Sequence, residues 1–212
     1  MKKKSFIFIL LIPIFTLLSG CIATHTAVMK DRTNVYSAMI KETGSKVVLV
    51  DLEDTRTDKK LVGRVCGLNL KTKKPINSLL TDAIATKLGE EGYNVQKTKI
   101  SDRNSKVEIA ELLKNAWGNI LLTGTMSKFY ISSFDAVLDR AKGEALFEIK
   151  IFDAMGNVIF DERFLAHSEN WIGLTGQFGA KKSIELTIDA AVQELFEDKA
   201  FTDTLKKLNQ TS

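Results

Sequence analysis

Residues 143–152 alternate without a break, with Ala145, Phe147, Ile149 and Ile151 on one side and Glu144, Glu148 and Lys150 on the other. Successive side chains of a strand point to opposite faces, so this segment is a strand with one face in a core and the other in water. Asp153–Asn157, closing on Gly156-Asn157, supplies the residues of a hairpin loop, and Val158–Ala166 returns as the partner. Just upstream, Ile120–Ile131 reads as a further long strand. The apolar face of such a meander has to be covered by another layer.

The rest of the chain supplies that layer. A helix is expected from Ser78 to Glu91, where Leu80, Ile84 and Leu88 form one stripe and Gly92 supplies the stop. A second begins at the capping box Ser105/Glu108 and runs to Trp117, burying Ile109, Leu112, Leu113 and Ala116, with Gly118 behind it. A third spans Ala180–Asp198 with Ile184, Ile188, Ala191, Val192 and Leu195 on one side, and a short helical tail follows from Thr202 to Leu208. Val47–Val50 is a continuous apolar run of the buried-strand type. Tyr93–Val95 opens another strand, and Leu61–Leu70 reads as a single strand despite Gly63 and Gly67. The fold class is therefore α/β (α+β): one mixed sheet with helices packed on it, an early βαβ crossover, then antiparallel strands and a C-terminal helix.

The N-terminus carries a different message. Lys2, Lys3 and Lys4 precede an apolar stretch from Phe6 to Leu18, which ends in Leu17-Leu18-Ser19-Gly20-Cys21. That stretch is shorter than the roughly twenty residues needed to span a bilayer, and Pro13 interrupts it. Its layout is that of a lipoprotein signal peptide at 1–20, with Cys21 the lipidated first residue of the mature chain. Ile22, in place of an Asp, favours the outer membrane of a Gram-negative envelope, with the domain on the periplasmic face. Residues 21–45 read as a lipid-anchored tether, part of which is expected to dock, and 46–212 as a single globular periplasmic domain.

Charge and cysteine content narrow the partners. Removing Lys2–Lys4 with the signal peptide leaves 27 basic against 26 acidic side chains, so no global field attracts nucleic acid. With Cys21 acylated, Cys66 has no intramolecular disulfide partner, and its apolar neighbours Val65 and Leu68 make it a small buried hydrophobe.

No motif for catalysis, cofactor or metal stands out. Asp51, Glu53, Asp54 and Asp58 gather behind the first strand, but the loop lacks the glycine turn of a calcium site, and Arg56, Lys59 and Lys60 offset its charge. His167 stands alone, without the Cys/His spacing of a zinc site, and Ser168 lacks the elbow glycines of a hydrolase. Between the last strand and last helix, three glycines space the large apolar residues Trp171, Leu174 and Phe178, which makes this the candidate partner-binding loop.

Taken together, the lipidated N-terminus, the strand running into Asp54-Thr55-Arg56-Thr57-Asp58, the Leu-rich helix ending in Gly92-Tyr93-Asn94-Val95, and the loop after Trp171 resemble the YajG-like family of envelope lipoproteins. Lys97–Trp117 departs most from that pattern. The resemblance implies an outer-membrane lipoprotein without established activity. At the level of fold, the chain is also similar to envelope lipoproteins of the CsgG, LpoB and PelC type, which assemble with other proteins. The expectation is a non-catalytic, membrane-anchored domain that binds or supports an envelope protein assembly. Two alternatives are a tethered periplasmic hydrolase using Asp51, Asp54 or His167, and a carrier of an apolar ligand.

Overall fold

A computed structural model describes residues 25–27, 45–65, 67–133, 140–171 and 176–210, and within these the side chains of all but 25–27, 171, 176–178 and 210. Nine strands form one mixed sheet: β1 (His25–Ala27), β2 (Lys46–Val50), β3 (Glu53–Asp54), β4 (Leu61–Val65), β5 (Leu68–Thr72), β6 (Asn94–Thr98), β7 (Ile120–Ser133), β8 (Arg140–Phe152) and β9 (Val158–Trp171). Among the described residues, four helices accompany them: α1 (Ile76–Glu90), α2 (Lys106–Ala116), α3 (Gly176–Glu197) and α4 (Lys199–Gln210). None is long and apolar enough to cross a membrane.

The spine is β7. Along one edge it receives β2 at Ile120–Leu122, β3 at Thr125–Met126 and β4 at Ile131–Ser133, all in parallel. Its other edge pairs antiparallel with β8, and β8 with β9, as the alternation requires. β6 lies parallel to β2 on its far side, so β2–α1–β6 and β6–α2–β7 are the expected crossovers. The mixed sheet read from the sequence is thus the one observed.

Three boundaries differ from the sequence reading. Leu61–Leu70 is not one strand but the antiparallel pair β4–β5, turned at Gly67, whose φ of +75° suits a residue without Cβ. Gly63 serves a different purpose: a Cβ there would lie 2.3 Å from the Ile131 carbonyl oxygen, so glycine lets β4 close on β7. β9 continues past Ala166 to Trp171, and α3 starts at Gly176 rather than Ala180. The third difference lies at the sheet edge, where His25–Ala27 pairs in parallel with β5 inside the segment read as a tether.

The two faces of the sheet are covered unequally. On the broad face, Leu80, Ile84 and Leu88 of α1 and Ile184, Ile188, Ala191 and Leu195 of α3 pack on Val47, Leu49, Leu122, Ile149 and Ile151. Phe147 and Phe164 stack there at 5.4 Å between ring centroids, and Phe160 meets Phe201 of α4 edge-on at 5.7 Å. On the other face α2 stands alone, with Ile109, Leu113 and Ala116 over Val48, Val50, Leu121 and Phe152 and Leu112 half-buried beside them. α1 also fixes the first connection: Leu52 N donates to Thr81 Oγ1 at 3.0 Å, and Asn77 Nδ2 donates to the Leu52 carbonyl at 2.7 Å.

Candidate interaction surface

The acidic loop folds onto itself. Asp54 and Arg56 are both buried and meet as a two-pronged pair, Nε to Oδ1 at 2.9 Å and Nη2 to Oδ2 at 2.8 Å. The remaining guanidinium protons go to the Leu61 and Lys59 carbonyls at 2.9 Å each and to the Phe129 carbonyl at 3.4 Å. Every lone pair and proton so used is withdrawn from chemistry, and the pair instead holds the chain between β3 and β4. Asp58 Oδ1 accepts the Lys60 and Leu61 amides; these two backbone bonds lower its pKa below the ordinary carboxylate range.

Asp51 is tied as well. Lys97 Nζ lies 3.0 Å from its Oδ1 and 2.6 Å from Oδ1 of buried Asp82, whose other oxygen takes Lys74 Nζ at 2.5 Å. Burial pulls the Lys97 pKa down, but its bonds to Asp82 and Asp51 outweigh that and raise it above the usual lysine value. Two carboxylates thus face two ammonium groups, a balanced cluster that links α1, β2 and β6. His167 lies apart from both groups, exposed on β9 opposite Glu144. Ser168 Oγ is instead 2.8 Å from Thr187 Oγ1 of α3. The structure therefore does not bring the hydrolase candidates into one constellation. No group of three or more potential metal ligands forms among the described residues.

A concavity of about 650 Å³ opens beyond the C-terminal ends of β2 and β3, where open parallel sheets commonly bind ligands. Asp51, Glu53, Lys59, Lys60, Lys71, Lys73 and Arg103 ring it, with Leu52 and Pro75 among the uncharged residues of its lining. Arg103 is engaged too, donating to Thr123 Oγ1 at 2.7 Å.

Of the residues singled out in the sequence, Cys21, Cys66 and Leu174 lie outside the described residues, as do 1–24 and 28–44. Trp171 closes β9 and Phe178 stands in the first turns of α3, but their side chains are likewise outside. The other tryptophan is the one the structure puts on view. Trp117 is 85 % exposed at the C-terminus of α2, with φ of +54°, the one non-glycine residue with positive φ among the described residues. Helices usually end this way on glycine, because a side chain in the left-handed region crowds the carbonyl at a cost of about 1–2 kcal/mol. Glycine follows one residue later, at 118, for a steric reason: a Cβ there would sit 2.6 Å from Val48 Cγ2. Close approach of the chain to β2 claims the glycine, and the left-handed turn falls to Trp117.

Beside it the β8–β9 loop leans on α2. Asp153 Oδ1 accepts the Met155 and Asn157 amides at 2.9 Å each and organises the tip. Burial raises the Asp153 pKa, but the bonds from Asn157 and Met155 win and hold it below the usual range. Gly156, at φ +75°, comes so near α2 that a Cβ would lie 2.6 Å from the Lys106 carbonyl oxygen. Lys106 Nζ bonds Asn157 Oδ1 at 3.2 Å. Between helix and tip runs a groove of about 390 Å³ lined by Ala110, Glu111, Leu113, Lys114, Gly118 and Ala154. Exposed large apolar residues stand next in the chain to parts of this surface: Met155, 73 % exposed, follows Ala154, Trp117 precedes Gly118, and Val107, 70 % exposed, lies on α2 one turn before Ala110. The sequence reading missed this surface because Trp117 falls four residues after buried Leu113, on the face a continuing helix would bury.

No protein-family model matches this sequence, and no curated protein does. Among solved structures, the chain is similar to XCC0632 from Xanthomonas campestris, of family DUF330, at a TM-score of 0.55 and 12% identity, covering 89% of this chain and 100% of that one. It also matches lipoprotein GNA1162 from Neisseria meningitidis at a TM-score of 0.39, 10% identity, covering 59% of this chain and 84% of that one. A PelC dodecamer from Paraburkholderia phytofirmans aligns at a TM-score of 0.37, 12% identity, covering 67% of this chain and 87% of that one. The first of these shares the fold.

Proposed function

We propose that this chain is a non-catalytic lipoprotein, anchored through Cys21 to the periplasmic face of an outer membrane, that engages an envelope protein partner through the α2 surface. The resemblance to YajG-like lipoproteins belongs to the same proposal. The observation that carries it is Trp117, a large apolar side chain held in water on a strained backbone, next in the chain to Gly118 of a groove, with Val107 of the same helix and Met155 of the β8–β9 loop also exposed. Strain of this kind persists where the surroundings impose it and clusters at functional sites, and tryptophan is enriched among the residues that dominate protein interfaces. The lipoprotein neighbours in fold space fit the anchor.

Photo-crosslinking in cells tests the reading. A crosslinker placed in turn at 107, 117 and 155 is expected to capture one and the same protein, absent when the crosslinker stands at exposed Lys206. Trp117→Gly should abolish that capture from position 155 while leaving the melting temperature unchanged or higher, since glycine relieves the left-handed turn. Capture from 171–178 alone would move the interface to the loop first read from the sequence, and no position-specific capture would overturn the proposal. Radiolabelled palmitate incorporated by the wild-type chain and not by Cys21→Ser checks the anchor separately.

A further inference from the structure

β1 begins at His25, four residues after Cys21, and pairs with β5 so that His25 faces Leu70. Four residues of fully extended chain span at most about 14 Å. A membrane that holds an acylated Cys21 therefore lies within about 19 Å of the middle of β5, one strand spacing further than His25. Of the segment 21–45 read as a partly docked tether, only residues 22–24 separate Cys21 from β1.

That hairpin, with its flanks, is also where positive charge gathers. Residues 59–74 contain Lys59, Lys60, Arg64, Lys71, Lys73 and Lys74 and neither Asp nor Glu, in a mature chain whose charges nearly cancel overall, so the remainder of the chain is net acidic. Lys74 is taken up by buried Asp82. Arg64 donates only to the neutral Asn69 side chain, at 3.3 Å. No ion pair ties Lys59, Lys60, Lys71 or Lys73 among the described residues, and all four share the rim of the 650 Å³ concavity. The acids of that concavity are already committed: Asp54 to Arg56, Asp51 to Lys97, and Glu53 to Arg103 at 3.9 Å. Asp58, which accepts only backbone amides and lies near Lys71, offsets one of these five charges, so four are left over on the hairpin and its flanks, the part of the sheet that the anchor brings nearest to lipid.

The geometry points to the β4–β5 hairpin as a second membrane contact, with Lys59, Lys60, Arg64, Lys71 and Lys73 facing the phosphate-bearing headgroups of an anionic leaflet. This rests on Cys21 being the anchor. The surface potential of such a leaflet decays over about 8 Å at physiological ionic strength, so only charges held close gain from it. An acyl anchor supplemented by a basic patch binds far more firmly than either alone. The arrangement also orients the domain. β4 meets β7 at Gly63↔Ile131, and Trp117 precedes the start of β7 at Ile120, which places the two surfaces roughly 35 Å apart along the strand. The partner-binding groove then looks away from the lipid.

The test uses the mature chain carrying Cys21→Ser, so that acylation plays no part, in sedimentation with vesicles of phosphatidylcholine alone or with one third phosphatidylglycerol. Binding is expected only to the anionic vesicles and should vanish in high salt. The triple variant R64E/K71E/K73E should lose about a hundredfold in partition coefficient. The control K99E/K199E/K206E, reversed elsewhere on the surface, should change it little. If the triple variant melts early, the milder R64Q/K71Q/K73Q replaces it. Equal binding to both vesicle types, or equal loss in the control, overturns the proposal. Palmitate labelling of the wild type reports on the anchor independently: labelled protein without preference for anionic lipid sinks this contact alone.

Discussion

The two faces of the sheet are built to different specifications. The broad face is a thick layer in which α1, α3 and α4 interlock with a stack of phenylalanines, while the narrow face is closed by the eleven residues of α2 and a hairpin tip. On the broad face large apolar side chains are inside, as burial favours. On the narrow face the largest one, Trp117, stands in water because its glycine neighbour is needed against Val48. The difference teaches that packing is concentrated on one side of the sheet, and that the thinner side is the one that leaves a large apolar side chain in water.

Phe147→Ala offers the hardest blow to that contrast. It removes the ring that stacks on Phe164, in the middle of the broad face, and should destabilise by about 3–5 kcal/mol in urea unfolding. Leu113→Ala, on the narrow face, should cost about 2–3 kcal/mol, because the cavity it leaves borders the groove and can collapse. Equal costs would mean that α2 is packed as deeply as α1. Gly118→Ala sharpens the account of Trp117. The added methyl meets Val48 Cγ2, so a loss of about 1–3 kcal/mol is expected, with displacement of α2 visible in the Trp117 fluorescence. The smallest effect concerns pH. Because the folded chain holds Asp153 below its ordinary pKa, the stabilisation it gives the tip is full above the unfolded carboxylate range and is lost as pH falls through the lowered value. An NMR titration should show the Met155 and Asn157 amides shifting together at that lower pH, and Asp153→Ala should abolish the transition.

Much of this was legible from residue order, for physical reasons. A period of two in 143–152 and a stripe at 80, 84 and 88 each reflect one buried face, and each formed as read. Ser105 caps α2 by accepting the Glu108 amide at 3.3 Å, but Glu108 returns its carboxylate to the Ser101 and Asp102 amides rather than to Ser105, a variation that no four-residue pattern encodes. The β4–β5 turn was hidden because Val65-Cys66-Gly67-Leu68 looks like unbroken apolar chain, with the reversal resting on one glycine dihedral. β1 had no pattern to offer: three residues added to an edge owe their place to the partner strand. Trp117 was concealed by helical spacing that the backbone abandons one residue earlier.

The central strand has a consequence for the order of assembly. β7, β8 and β9 follow one another along the chain and can zip up by themselves, whereas β2, β3 and β4 must each find a berth on a strand that begins some seventy residues downstream of β2. A chain emerging N-terminus first therefore carries strongly hydrophobic β2 wholly unpaired until β6 has appeared, and with its β7 edge open until residues 120–122 follow. Closing so large a loop is slow. Until then Val47–Val50 needs guarding from other chains, and the late-arriving meander is the template on which the earlier half condenses.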